Sequence, residues 1–188
     1  MLLGLGIWSF SYAMITLSPA LEVKHLWLKL ENIGILSVPV LWFFFTMKYT
    51  RLDKWLTGKP VMLFFWIIPA VSLTFLFSDR WFHLYYTSTR VAMESGGPLI
   101  ISRGPMYWIA LTHAYLLNLV GMSVLVWRFI KSRLVYRRQM LYLIGAVVIP
   151  FSFNILYQVM PGLLPFFSVP VDLTPLFFNV TAILLVAS

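Results

Sequence analysis

Apolar segments long enough to cross a lipid bilayer recur along almost the whole of this sequence, and they limit what it can fold into. Such segments cover about residues 1–18, 25–49, 61–77, 105–129, 140–160 and 172–188. A helix needs about 20 mostly apolar residues to span the hydrocarbon core, where every backbone polar group must be bonded within the protein. The pattern therefore predicts an all-α fold, a polytopic membrane helix bundle with about six transmembrane helices.

The composition excludes an ordinary soluble domain. Hydrophobic residues make up 61% of the chain and charged residues only 11%, whereas a soluble domain carries roughly 25% charged residues. The formal net charge of +8 could suggest nucleic acid, but no basic stripe on a polar scaffold accompanies it. We therefore expect the lipid bilayer as a partner, and no nucleic acid.

Lysine and arginine are distributed unevenly between the two sides of the predicted bundle. One alternating set of loops and flanks holds nine of them, and the other set holds four. The larger set consists of Lys48, Arg51, Lys54, Lys59, Arg128, Lys131, Arg133, Arg137 and Arg138. The positive-inside rule assigns this set to the cytoplasm. The C-terminus then lies inside, and the long polar loop 78–103 lies outside.

The external loop 78–103 combines aromatic and turn-forming residues. Its aromatic start, 81–86, is interpreted as an interfacial belt of the kind found at membrane surfaces. The alternation that follows, with Gly96, Gly97 and Pro98, predicts a small hairpin or cap.

Glu31 is the strongest candidate for a functional residue within a span. It lies about two helical turns below the predicted outer boundary, on the same helix face as Trp27 and Gly34, and Gly34 allows a neighbouring helix to approach closely. A carboxylate at that depth is too costly to face lipid, so we expect Glu31 to face the interior of the bundle. The alternative is that Glu31 only bonds a neighbouring helix. Lys29 is expected to snorkel outward or to pair nearby.

Other polar and aromatic residues occur at a similar predicted depth, and a pocket open to the outside would collect them. The alternative is that they serve only as interhelical hydrogen-bonding groups. The complete set of candidate ligand-binding residues is Trp27, Glu31, Trp108, His113, Asn154, Tyr157 and Asp172.

No catalytic constellation is recognisable in the sequence. The three histidines, His25, His83 and His113, fall in different segments and form no metal-binding spacing. No nucleophile elbow or phosphate-binding glycine loop occurs, and the absence of cysteine rules out thiol chemistry. We expect no catalytic residue, no metal and no cofactor.

Segments in register along nearly the whole chain resemble the seven-helix N-terminal sensor domain of prokaryotic histidine kinases, which is also found on diguanylate cyclases. The matching segments are HLWLKLENIGILSVPVLWFFFTMKYT (25–50), WFHLYY (81–86), RGPMYWI (103–109), YRRQMLYLIGAVVIP (136–150), and NILY with DLTP (154–157 and 172–175). The resemblance implies that the helices present are the second to the seventh. One helix would precede Met1, and a signalling domain would follow Ser188.

The resemblance also implies a function. Residues 1–188 would form a single transmembrane sensor domain in a prokaryotic plasma membrane. It would detect an external or membrane-borne ligand and pass the signal to a cytoplasmic histidine kinase or diguanylate cyclase domain, within a homodimer of the intact protein. The alternative is a transporter, or part of one, that binds a small solute; transporters usually show internal repeat symmetry, which this sequence lacks.

Overall fold

The computed structural model describes residues 1–56, 58–91, 99–132, 134–159 and 174–177. The chain divides into two compact units, Met1–Gly121 and Met122–Ser188, and each is described by itself.

The first unit is built mainly from long helices. Helix α1 covers Leu2–Leu17, α2 covers Leu21–Tyr49 and α3 covers Lys59–Phe77, with a 3-10 turn at Asp53–Leu56 before α3 and a short helix α4 at Asp79–Phe82 after it. The break between α1 and α2 contains Pro19, and Pro60 occupies the first turn of α3. Proline is tolerated in a first turn because the missing N–H would have no intrahelical partner there.

Helix α5 covers Pro105–Lys131 and passes from the first unit into the second, where α6 covers Leu134–Val159. In the second unit, Phe153 of α6 stacks on Phe177, with ring centroids 3.8 Å apart. Residues 174–177 are helical. The rest of the predicted segment 172–188 lies outside the described residues.

Helices α2, α3 and α5, together with Arg137–Gln158 of α6, are long and apolar enough to cross a membrane, while α1 is a shorter apolar helix. The predicted all-α membrane helix bundle is confirmed. The exact number of spans stays a prediction, because the last predicted span falls mostly outside the described residues.

Glycine allows α1 and α2 to pack with their backbones in close contact. A Cβ atom added to Gly34 would lie 2.6 Å from the carbonyl oxygen of Gly4 and 2.8 Å from the backbone nitrogen of Trp8. No real side chain fits at those distances. The expectation that Gly34 admits a close neighbour is therefore confirmed.

A two-stranded antiparallel hairpin lies between α4 and α5. Strand β1 covers Tyr86–Val91 and strand β2 covers Leu99–Arg103, with Thr89 opposite Ile101 and a register irregularity between Tyr86 and Ser88. The predicted hairpin is confirmed in these strands, while its glycine-containing turn lies outside the described residues.

The start of α5 is fixed against the residues that precede β1. The backbone N–H of Gly104 donates to the carbonyl oxygen of Tyr85 at 2.8 Å, and that of Met106 donates to Leu84 at 3.1 Å. A Cβ atom on Gly104 would collide with the carbonyl group of Leu84. Only glycine fits here, so the start of α5 is held directly against the residues that precede β1.

Candidate functional site

Four neighbouring side chains form a buried polar cluster in the first unit. Glu31 and Asn32 are consecutive residues of α2, and their side chains are 6% and 0% exposed. Tyr85, which precedes β1, and Tyr86, the first residue of β1, are 1% and 5% exposed. We call these residues the buried polar cluster. Buried polar groups are costly unless they are hydrogen-bonded, so their partners define what the cluster can do.

Asn32 is the centre of this cluster. Its Oδ1 accepts a hydrogen bond from the hydroxyl of Tyr85 at 2.9 Å. Its Nδ2 donates to the hydroxyl of Tyr86 at 2.9 Å and to the carbonyl oxygen of Leu28 at 2.8 Å. A side-chain amide carries both an acceptor and two donor hydrogens, and all are used here. Asn32 thus ties α2 to the segment that opens the hairpin.

Both tyrosines remain protonated in this environment. Burial raises the pKa of Tyr85 and Tyr86 well above its usual value, and the neighbouring Tyr107 and the Glu31 carboxylate raise the pKa of both further. The hydroxyl of Tyr85 can therefore keep donating to Asn32. The Glu31 charge is thus one of the causes of the raised pKa of both tyrosines, and removing it would take that cause away.

A second link joins α2 to the hairpin. The Nε2 atom of His25 lies 2.6 Å from the Oγ1 atom of Thr89 in β1. The first turn of α2 also contacts α1, because the Nζ of Lys24 donates a hydrogen bond to the carbonyl oxygen of Ile15 at 2.6 Å. The first turns of α2 therefore contact both α1 and the hairpin.

The structure corrects two interpretations of this region. The predicted segment 25–49 starts too late, because α2 begins at Leu21 and already includes the buried Lys24. Residues 81–86 were interpreted as an interfacial belt, which is wrong for Tyr85 and Tyr86, although Trp81 is 81% exposed. The expected pairing of Lys29 is with an aromatic ring, since its Nζ lies 5.6 Å from the ring centroid of Phe77.

Aromatic side chains extend the cluster toward the surface. The ring of Tyr107 lies 5.8 Å from that of Tyr85 and 6.1 Å from that of Tyr86. The guanidinium of Arg103 stands 5.1 Å from the Tyr107 ring and 6.0 Å from the ring of Trp108. Trp108, a predicted site residue, is 49% exposed. It therefore lies at the edge of this aromatic group and not within it.

Of the other predicted site residues, Trp27 packs against the hydrophobic core that includes Tyr85 and Tyr86. Trp27 makes an edge-to-face contact with Phe10 of α1 at 5.5 Å, and His113 is half-buried on α5. In the second unit the Nδ2 of Asn154 donates to the Oγ1 of Thr174 at 3.3 Å, and Tyr157 is half-buried.

Asp172 lies outside the described residues, so a pocket shared by Glu31, Asn154 and Asp172 stays a prediction. The buried polar cluster groups Glu31 with Asn32, Tyr85 and Tyr86, none of which the sequence analysis selected. Asn32 follows Glu31 within one apolar segment, and this was the signal that could have identified it.

Comparison with known proteins gives one family. The family model described as the N-terminal 7TM region of histidine kinase matches residues 1–188. No curated protein and no solved structure shows a significant match to the chain.

Proposed function

Since the chain belongs to the family of N-terminal seven-transmembrane regions of histidine kinases, we propose that it senses a signal at the external face of the plasma membrane and transmits it to a cytoplasmic output domain. The family is the membrane-embedded, non-catalytic input region of these kinases, with a signalling domain downstream. The nature of the signal, its site and the route of transmission are the parts that we propose.

The observation that carries the proposal is the attachment of the hairpin to α2. Two separate links make it, Asn32 with the paired tyrosines and His25 with Thr89. A sensor needs two arrangements that differ by a few kcal/mol and a stimulus that prefers one of them. Hydrogen bonds contribute about 1 kcal/mol each, so links of this kind are of the right size to be broken or reformed by a bound ligand.

Glu31 is the group through which the stimulus acts in this proposal. It is the one carboxylate of the buried polar cluster, and it lies beside the residue that holds both tyrosines. A ligand that binds or neutralises Glu31 would change the electrostatic potential at Tyr85 and Tyr86. It would thereby weaken the hydrogen bonds through which Asn32 holds the hairpin. The other predicted contacts, Trp27, Trp108, His113, Asn154, Tyr157 and Asp172, remain candidates for shaping access to it.

The orientation and the assembly belong to the same proposal. The excess of basic residues supports a cytoplasmic position for residues 51–59, for the turn between α5 and α6 and for the C-terminus. The resemblance to the histidine kinase region supports a prokaryotic plasma membrane. A kinase or cyclase domain would receive the signal in the cytoplasm, within a homodimer of the intact protein.

The test uses a chimera in which the chain is joined after Ser188 to the cytoplasmic core of a histidine kinase. Glu31→Gln keeps a hydrogen-bonding side chain of the same length but removes the charge, and Glu31→Leu removes both. Glu22→Gln serves as the matched control, because Glu22 is an exposed carboxylate in the first turn of the same helix.

We expect Glu31→Gln to insert and fold normally but to change kinase output, while Glu22→Gln leaves the output unchanged. If Glu31 is only a packing group, Glu31→Gln will be silent and Glu31→Leu will lower the unfolding free energy by roughly 1 kcal/mol. Kinase output that ignores every change in the cluster, together with solute flux in vesicles, would support a transporter instead.

A further inference from the structure

The turn between α5 and α6 concentrates positive charge in the second unit. The cations of this basic turn, as we call it, are Arg128, Lys131, Arg137 and Arg138. The only acidic residue in the sequence of the second unit is Asp172. Among the described residues, none of the four cations forms an ion pair. The counter-charge for the basic turn must therefore come largely from outside the unit.

Aromatic rings, and not carboxylates, contact three of these cations, Lys131, Arg137 and Arg138. The Nζ of Lys131 lies 4.4 Å from the ring centroid of Trp127. The Nε of Arg138 donates to the hydroxyl of Tyr142 at 3.0 Å. Cation–π contacts orient a charged group without neutralising it. The cations are thus pre-positioned but still available to an anion.

Arg137 has the most constrained position. Its guanidinium lies 5.6 Å from the ring of Phe129, and one terminal nitrogen donates to the carbonyl oxygen of Ile130 at 3.5 Å. Its Nε is buried and has no hydrogen-bond partner among the described residues. A guanidinium whose N–H groups are only partly used can donate further hydrogen bonds to the oxygen atoms of a ligand.

The location of the basic turn indicates what that ligand is. Both flanking helices include candidate membrane spans, so the turn between them lies at a membrane surface. Tryptophan and tyrosine, here Trp127 and Tyr142, are typical of the headgroup level. A phosphodiester at that level presents two free oxygens, which match the planar fork of an arginine.

We propose that the basic turn binds the phosphodiester headgroup of an anionic phospholipid, with Arg137 and Arg138 as the contacting residues. This differs from the positive-inside rule, which needs charge alone and is satisfied equally by lysine. A headgroup site depends on the arginine fork. Replacing arginine by lysine therefore distinguishes a general charge effect from a headgroup site, because it keeps the charge and removes the planar guanidinium.

The protein is placed in nanodiscs that contain equal amounts of phosphatidylglycerol and phosphatidylcholine and is then released from them. Native mass spectrometry counts how many molecules of each lipid remain bound to the protein. The variants are the double changes Arg137→Lys with Arg138→Lys, and Arg137→Gln with Arg138→Gln. Arg90→Lys and Arg90→Gln are the matched controls, because Arg90 is an exposed arginine on β1 in the other unit. Far-ultraviolet circular dichroism checks that every variant keeps its helices.

We expect the wild type and both Arg90 variants to prefer phosphatidylglycerol. The glutamine pair should lose about fivefold in that preference for each arginine removed, and the lysine pair should lose most of it although its charge is intact. Unchanged retention in the lysine pair would overturn the site and leave only a general charge effect. A wild type without preference between the two lipids would also overturn it. Release of phosphatidylglycerol by millimolar inorganic phosphate would show that free phosphate competes for the same site, and it would overturn the assignment of the site to a lipid headgroup.

Discussion

Replacing Asn32 by leucine tests the centre of the buried polar cluster. Leucine has the same number and branching of side-chain heavy atoms as asparagine, so it fills the space without hydrogen bonding. The hydroxyl of Tyr85 loses its acceptor, and that of Tyr86 loses its donor. Both tyrosines are almost fully buried, so water does not replace the lost partners.

The expected loss follows from these two hydroxyl groups. Leaving a buried polar group unsatisfied costs about 1–3 kcal/mol, while hydrogen bonds between membrane helices average only about 0.6 kcal/mol because the unfolded state also finds partners. We therefore expect Asn32→Leu to lower the free energy of unfolding by about 2–4 kcal/mol. Adding Tyr85→Phe and Tyr86→Phe to it should restore much of the loss, because removing all partners of a hydrogen bond is nearly neutral.

The assay is equilibrium unfolding of the purified protein in mixed micelles, followed by circular dichroism. Asn118→Leu is the matched control, since among the described residues the Nδ2 of Asn118 bonds only to Ala114 of its own helix. Losing that bond should cost less than about 1 kcal/mol. Equal losses for Asn32→Leu and Asn118→Leu would refute the reasoning. So would a triple variant as unstable as Asn32→Leu alone.

Three further predictions concern packing, pH and topology. Gly34→Ala should lower the unfolding free energy by about 1–3 kcal/mol through overpacking against Gly4 and Trp8. Gly6→Ala should be neutral or stabilising in the same unfolding assay, because no atom of the described residues lies within 4 Å of its added Cβ. Burial raises the pKa of Tyr85 and Tyr86 in the folded state. Their contribution to stability is therefore complete below the unfolded pKa of about 10 and is lost as pH rises toward the folded pKa. From about pH 8 to 11.5 the free energy of unfolding should decline less in the double variant Tyr85→Phe with Tyr86→Phe than in wild type. In whole cells an impermeant thiol reagent should label Thr87→Cys and not Ser132→Cys, and the reverse result would overturn the proposed orientation.

The fold was largely predictable because the length of an apolar segment determines whether a helix can span a bilayer. The segment 61–77, for example, corresponds to α3 at Lys59–Phe77. Helix ends were less predictable, since a helix can extend past the apolar stretch. Helix α6 begins at Leu134 and includes Arg137 and Arg138, which the sequence placed in a loop.

The candidate site was predictable only in part. The cost of a charge within a span selects Glu31 from the sequence alone. The partners of Asn32 could not be selected in the same way, because Tyr85 and Tyr86 are more than 50 residues away and meet it only after the helices pack. Their aromatic character also fitted an interfacial position equally well, and only burial distinguishes the two.

The most direct test of the central claim is kinase autophosphorylation in the chimera when a single hydroxyl is removed. Tyr86→Phe deletes the group that accepts from Asn32, and Tyr49→Phe deletes a hydroxyl at the opposite end of α2. If the cluster determines the conformation that controls the cytoplasmic domain, Tyr86→Phe should remove a hydrogen bond that contributes about 0.6 kcal/mol and change kinase output by about threefold. Tyr49→Phe should leave kinase output at the wild-type level. Equal output from wild type, Tyr86→Phe and Tyr49→Phe, in proteins that are equally folded and inserted, would contradict the claim that this cluster carries the signal.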